Sequence, residues 1–194
     1  MQIIIYNQKG GVGKSMLATQ IALHFDTTII ELDPYGMLTK TLDDRVIKIA
    51  LDAQAPEIES GDVVYDFGGF DDIRLESIAK NATLILLPFN PTINSLGTTL
   101  QSYNRVKDLQ LPVLFVVNGY IKESDIDDAI SFLAEHTQEE IDYFAIPHTR
   151  ALQTAENDGM SIIELAKSSG LKQHTYKKIS SIMQDLMRKI EEYN

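Results

Sequence analysis

The clearest chemistry in this chain lies in eight residues, Gln8-Lys9-Gly10-Gly11-Val12-Gly13-Lys14-Ser15. Three glycines within four positions let successive backbone N–H groups turn inward, where they can grip phosphate oxygens. Lys14 is spaced to reach the β- and γ-phosphates of a nucleotide, and the Ser15 hydroxyl to ligate Mg²⁺. The general phosphate-loop pattern is broken once. Gln8 stands where the first glycine is expected, and a second lysine, Lys9, precedes Lys14 by five positions.

Such a loop works only between a strand and a helix, because the helix N-terminus adds its partial positive charge. An apolar run precedes it, and an amphipathic stretch follows with Leu17, Ala18, Ile21, Ala22 and Phe25 on its apolar side. Two acids sit where further strands end. Asp33 closes Ile29-Ile30-Glu31-Leu32, at the strand end where open α/β sheets bind ligands. Asp66 closes Val63-Val64-Tyr65, an arrangement suited to holding Mg²⁺ through a water, with Gly68-Gly69 freeing the backbone beyond it. Asp71 and Asp72 are read as caps of the next helix.

Strand-like runs are expected at Gln2–Asn7, Thr28–Leu32, Val46–Ile49, Val63–Phe67, Leu84–Pro88, Val113–Asn118 and Ile141–Ile146. Helical stretches lie around Lys14–Phe25, Ile73–Lys80, Ser95–Leu109 and Ser124–Glu135, and the chain turns helical again from the last strand to Asn194. Gln54–Ser60 reads as an acidic, proline-containing loop. Several strands are continuously apolar, as strands covered on both faces must be. The alternation specifies an α/β, doubly wound, mostly parallel sheet flanked by helices, built as one domain over 1–194.

Composition removes several chemistries. No cysteine is present, which excludes disulfides, thiolate catalysis and cysteine-held zinc or iron–sulfur centres. The four histidines lack ligand spacing. Seventeen basic against 28 acidic residues give a net charge of −11, so nucleic acid or an anionic membrane would need a local basic patch. No apolar run approaches the roughly 20 residues of a spanning helix, and the opening lacks a signal-peptide pattern, so a cytoplasmic location is expected.

Lys9 to Ser15 resembles the deviant Walker A motif of the ParA/MinD superfamily of P-loop ATPases, and the likeness extends from Met1 to about Leu165. The resemblance implies ATP and Mg²⁺ as cofactors, and a nucleotide-binding set of Lys9, Gly10, Gly11, Val12, Gly13, Lys14, Ser15 and Met16. Lys9 would act across a homodimer interface on the partner's nucleotide, and Lys14 within its own subunit. Glu31-Leu32-Asp33-Pro34-Tyr35 is similar to the family's Asp-x-Asp-Pro-Gln segment. Asp33 would then orient the attacking water and assist the metal shell with Ser15 and Asp66. Glu31 and Tyr35 depart from that pattern. Asn118, after the strand at Val113–Val117, and Pro147, in Ile146-Pro147, match the family's base-contacting segments.

Between Lys167 and Lys189 six basic residues face one acid, Asp185, against the acidic trend of the chain. By the resemblance, Lys172, Lys177, Lys178, Arg188 and Lys189 form a nonspecific DNA surface. The stripe Ile179, Ile182, Met183, Leu186 and Ile190 reads as core packing on the sheet. The leading expectation is a ParA-type ATPase that segregates or positions cargo by ATP-dependent dimerisation and DNA binding. It would associate with the nucleoid when ATP-bound, without membrane, and be released when a ParB-like or other cargo adaptor stimulates hydrolysis. The alternatives are a MinD-like membrane-positioning ATPase or a small-molecule P-loop ligase or kinase. Lys9 speaks against the last, since a monomeric site has little use for an outward cation.

Overall fold

A computed structural model describes residues 1–56 and 58–193. Its strands are β1 (Gln2–Ile5), β2 (Thr28–Glu31), β3 (Val46–Lys48), β4 (Val63–Asp66), β5 (Leu84–Phe89), β6 (Val113–Tyr120) and β7 (Tyr143–Pro147). All pair in parallel in one sheet of order β3-β2-β4-β1-β5-β6-β7. The doubly wound parallel sheet expected from the alternation is what forms. Because β1 lies at the centre and the order reverses around it, the connection leaving β1 opens into the crevice where such sheets take ligands.

The helices are α1 (Lys14–Phe25), α2 (Leu75–Ala79), α3 (Ile93–Val106), α4 (Glu123–Thr137), α5 (Ala151–Asn157), α6 (Ile162–Lys167) and α7 (Gly170–Glu191). They cover both faces, and strand alternation divides the core accordingly. Ile3, Ile5, Val64, Leu86 and Val116 join α1, α5, α6 and α7 in one cluster. Ile4, Tyr65, Leu87 and Val117 join Leu75 of α2, Leu96 and Val106 of α3 and Leu133 of α4 in the other. Each fully buried Ile or Leu contributes about 1.5–3 kcal/mol relative to exposure, which is why the central strands tolerate no polar alternation.

The stripe of α7 behaves as core: Ile179, Met183, Leu186 and Ile190 are buried and Ile182 is half-buried. Helix α7 ends at Glu191, and Asn194 of the expected helical tail lies outside the described residues. So does Glu57, within the expected loop Gln54–Ser60, whose other residues form neither helix nor strand. The last strand sits two residues later than its apolar run suggests, because Ile141 packs into the core below the sheet rather than pairing. Among the described residues no helix is long and apolar enough to cross a membrane.

Candidate functional site

The glycine-rich loop leaves β1 and is clasped before it turns. Asn7 is fully buried; its amide donates to Pro88 O at 2.9 Å and to Thr99 Oγ1 at 3.0 Å. Its carbonyl oxygen Oδ1 accepts the Lys9 N–H at 2.8 Å, while the Gln8 N–H donates to Ser102 Oγ at 2.9 Å. Helix α3 thus holds the loop's first residues with buried hydroxyls. Gly11 and Gly13 then adopt φ of 76° and 97°, which side chains rarely permit. Gly13 is also fixed by space, since a Cβ there would lie 2.2 Å from Asn118 Nδ2.

The two lysines have opposite surroundings. Lys14 is buried, and its ammonium donates to Asn7 O at 3.0 Å and Lys9 O at 2.9 Å, closing the loop on itself. Burial lowers its pKa, and the nearby Asp66 and Asp33 charges push it back up. Lys9 is exposed and makes no ion pair among the described residues.

Asp66 ends β4, flanked in register by Ile5 and Glu31. It is wholly buried, and neither carboxylate oxygen has a hydrogen-bond partner. Desolvation pushes its pKa up to about 7, and the Glu31 and Asp33 charges add to the rise. The Ser15 hydroxyl and Lys14 ammonium beside it pull the value down, without Ser15 reaching hydrogen-bond geometry. An orphaned buried acid next to a serine suits a hydrated divalent cation, whose waters would satisfy those oxygens.

Asp33 is half-buried and accepts the Tyr35 N–H at 2.9 Å. Among the described residues no three acids or histidines stand close enough to cage a metal. Of the expected Ser15, Asp33 and Asp66 set, Ser15 lies beside Asp66, and Asp33, on the turn after β2, is near enough for its charge to act on both Asp66 and Lys14. Past β4 the chain approaches the glycine-rich loop closely; a Cβ on Gly69 would lie 3.0 Å from Gly10 N. The acids beyond split their roles. Asp72 accepts the Arg74 N–H at 2.9 Å before α2 and pairs with the buried Arg74 guanidinium. Asp71 pairs instead with Arg105 of α3 at 3.0 Å, and neither acid caps α2, whose N-cap is Arg74 without a side-chain cap; Asp72 closes the turn before it.

On the other side of the loop lies a cavity of about 440 Å³ lined by Gly13, Met16, Asn118, Pro147, Gln153 and Glu156 among others. Asn118 and Pro147, matched separately from sequence, meet on this one wall. Asn118 Nδ2 donates to Val12 O at 2.8 Å, tying β6 to the loop, and Asn90 Nδ2 donates to Asn118 O at 2.9 Å. Glu156, whose pKa burial raises, was not singled out by sequence; its helix position after Pro147 was the available signal. The C-terminal basic residues divide as well. Lys177 and Lys178 are exposed and Lys172 partly so, whereas Lys189 pairs with Asp142 at 2.6 Å and Arg188 with Asp185.

The CbiA family, described as the CobQ/CobB/MinD/ParA nucleotide binding domain, matches residues 3–162. The chain belongs to that family. Members are nucleotide-binding ATPases, which gives the glycine-rich loop, the orphaned Asp66 and the adjoining cavity a common context. No curated protein matches the chain. Among solved structures, an ATP complex of a McdA variant from Cyanothece is 13% identical with a TM-score of 0.69, covering 98% of this chain and 96% of that one. The MinC:MinD cell division protein complex of Aquifex aeolicus is 17% identical, with a TM-score of 0.68 and coverage of 100% and 96%. A ParA family ATPase from Chlorobium tepidum TLS is 15% identical, with a TM-score of 0.61 and coverage of 95% and 96%. At such identities the likeness is one of fold, and this CbiA-family domain shares theirs over nearly its whole length.

Proposed function

We propose that this chain, acting as one domain over 1–194, is a ParA-type ATPase that positions or segregates cargo through an ATP-dependent homodimer. The observation that carries this reading is the contrast between the buried Lys14 and the exposed, unpaired Lys9 on one short loop. A cation held at a loop's surface is suited to a second, opposed nucleotide, where two triphosphates concentrate negative charge. Large apolar side chains support a dimer face: Tyr35, Ile73, Ile93 and Ile121 are exposed on segments that follow β2, β4, β5 and β6, leaving the carboxyl ends of the strands as the loop does.

ATP supplies the γ-phosphate whose presence or loss distinguishes the two states, and Mg²⁺ neutralises charge developing on it. Within the chain, the loop amides and Lys14 would hold the phosphates, while Ser15 and, through water, Asp66 would hold the metal. Asp33 would orient the attacking water. Met16, Asn118 and Pro147 would line the nucleoside end. Lys9→Ala is expected to leave nucleotide affinity within about threefold, because its side chain is exposed and pairs with no acid of its own chain among the described residues, and to abolish the ATP-dependent dimer in light scattering. A dimer of unchanged affinity would remove the trans role.

Nonspecific DNA would be held by the C-terminal helix, with release on hydrolysis stimulated by a ParB-like or other adaptor. The test is a DNA titration with ATP, ADP or no nucleotide at two salt concentrations. Only the ATP state should bind. Neutralising Lys177 and Lys178 together should lower the salt slope by about one per lost phosphate contact in each subunit. Neutralising Arg188 or Lys189, already paired with acids, should change it less. ATP-independent binding, or binding by the ADP state, would overturn the DNA reading. The MinD-like alternative gains no support from α7, whose apolar stripe is engaged in the core.

A further inference from the structure

Glu31 stands where the resembling segment has an aspartate, and the extra methylene changes what its carboxylate touches. It is fully buried at the end of β2, and its Oε1 accepts the Leu38 N–H at 2.9 Å. Its Oε2 makes no hydrogen bond and faces Lys48 Nζ of the edge strand β3 as an ion pair at 3.6 Å. The same ammonium donates to Gly36 O at 2.5 Å, so one lysine stands between the glutamate and the turn above it. Gly36 lies so close that a Cβ would sit 2.2 Å from Glu31 Oε1. The turn itself is closed by Gly36 N–H to Asp33 O at 3.0 Å and by Tyr35 N–H to Asp33 Oδ1.

An aspartate at this position would withdraw the carboxylate by about 1.5 Å, one carbon–carbon bond, and lose its reach to Leu38. We infer that Glu31 and Lys48 form a latch that holds the 33–38 loop against the sheet edge and thereby sets the position of Asp33. Glu31 is a positioning residue here, directed at the loop rather than at the nucleotide. This rests on the ATPase reading only for its consequence, the placement of Asp33 for hydrolysis. The latch itself is visible without nucleotide.

The experiment is amide hydrogen exchange at Leu38 in the full nucleotide-free chain, paired with ATP affinity and turnover. Removing the ammonium in Lys48→Met should speed Leu38 exchange roughly tenfold, the effect of losing a charge-assisted contact, and Lys48→Arg should restore it. ATP affinity should stay within about threefold while turnover falls about tenfold, the pattern of a group that positions chemistry without holding substrate. If Lys48→Met leaves the buried glutamate too costly to fold, Glu31→Gln combined with Lys48→Met removes both charges and carries the same expectation. Unchanged Leu38 exchange in a folded variant overturns the latch. So does a parallel loss of affinity and turnover, which would place Glu31 in nucleotide binding. A wild-type chain that does not hydrolyse ATP overturns the ATPase reading instead, and Leu38 exchange then decides the latch alone.

Discussion

Lys14→Ala is expected to weaken ATP binding by about 10²–10³-fold, the loss associated with removing one member of a desolvated charge contact. The lysine is the buried cation among acids, with Asp66 and Asp33 near enough to raise its pKa against burial. Without it, an incoming triphosphate meets Asp66 and Asp33 with no buried lysine to offset its charge. The loop loses its closing contacts too, since the Asn7 and Lys9 carbonyls both accept from this ammonium. Folding should suffer less than binding, because the change also removes a charge that burial disfavours. Calorimetric titration checks this directly. Binding within twofold of the unaltered chain would mean that the glycine-rich loop does not hold the phosphates.

The second large effect is a pH dependence owed to Asp66. Its folded pKa near 7 stands above the ordinary value of 3.8, so the folded protein keeps a proton that the unfolded chain releases. The stability this provides is complete below about pH 4 and is lost as the pH rises through about 7. The loss amounts to about 4 kcal/mol at most, on the scale of 1.4 kcal/mol per unit. Asp66→Asn cannot ionise. In the nucleotide-free protein its melting temperature should therefore exceed that of the unaltered chain by clearly more at pH 8 than at pH 5, with the gap widening up to about pH 7. The unaltered chain should recover the difference when nucleotide and Mg²⁺ are added at pH 8, since a nearby cation favours the ionised carboxylate. The asparagine variant should gain far less. A gap between the two chains that stays constant from pH 5 to pH 8 would contradict the buried, orphaned state of this acid.

The sequence discloses much of this arrangement, for reasons that separate local signals from distant ones. The inner strands β1, β4, β5 and β6 follow from apolar runs, because a parallel sheet covered on both faces demands them. The glycine-rich loop and the two acids at strand ends follow from spacing within single connections. Contacts between remote segments do not. Thr99 and Ser102 look like surface residues of an amphipathic helix, yet both are buried against Asn7, more than 90 positions earlier. Lys48 reads as a solvent-facing lysine on an edge strand, and only the fold brings it to Glu31. Asp71 reads as a helix cap because its partner, Arg105, lies 34 residues away. The break between α5 and α6 carries a local sign: Ser161 and Glu164 form a reciprocal cap at the start of α6.

The most direct test of the central claim is the mass of Asp33→Ala in solution, measured by light scattering with ATP and Mg²⁺ and again with ADP. Blocking the water-orienting acid should preserve the triphosphate state. The ATP sample should then weigh twice the 21.7 kDa of one chain and the ADP sample once that mass, with the doubling absent when Lys9→Ala is added. A single-chain mass in both nucleotides, with ATP demonstrably bound, would contradict a switch built on two opposed nucleotide sites.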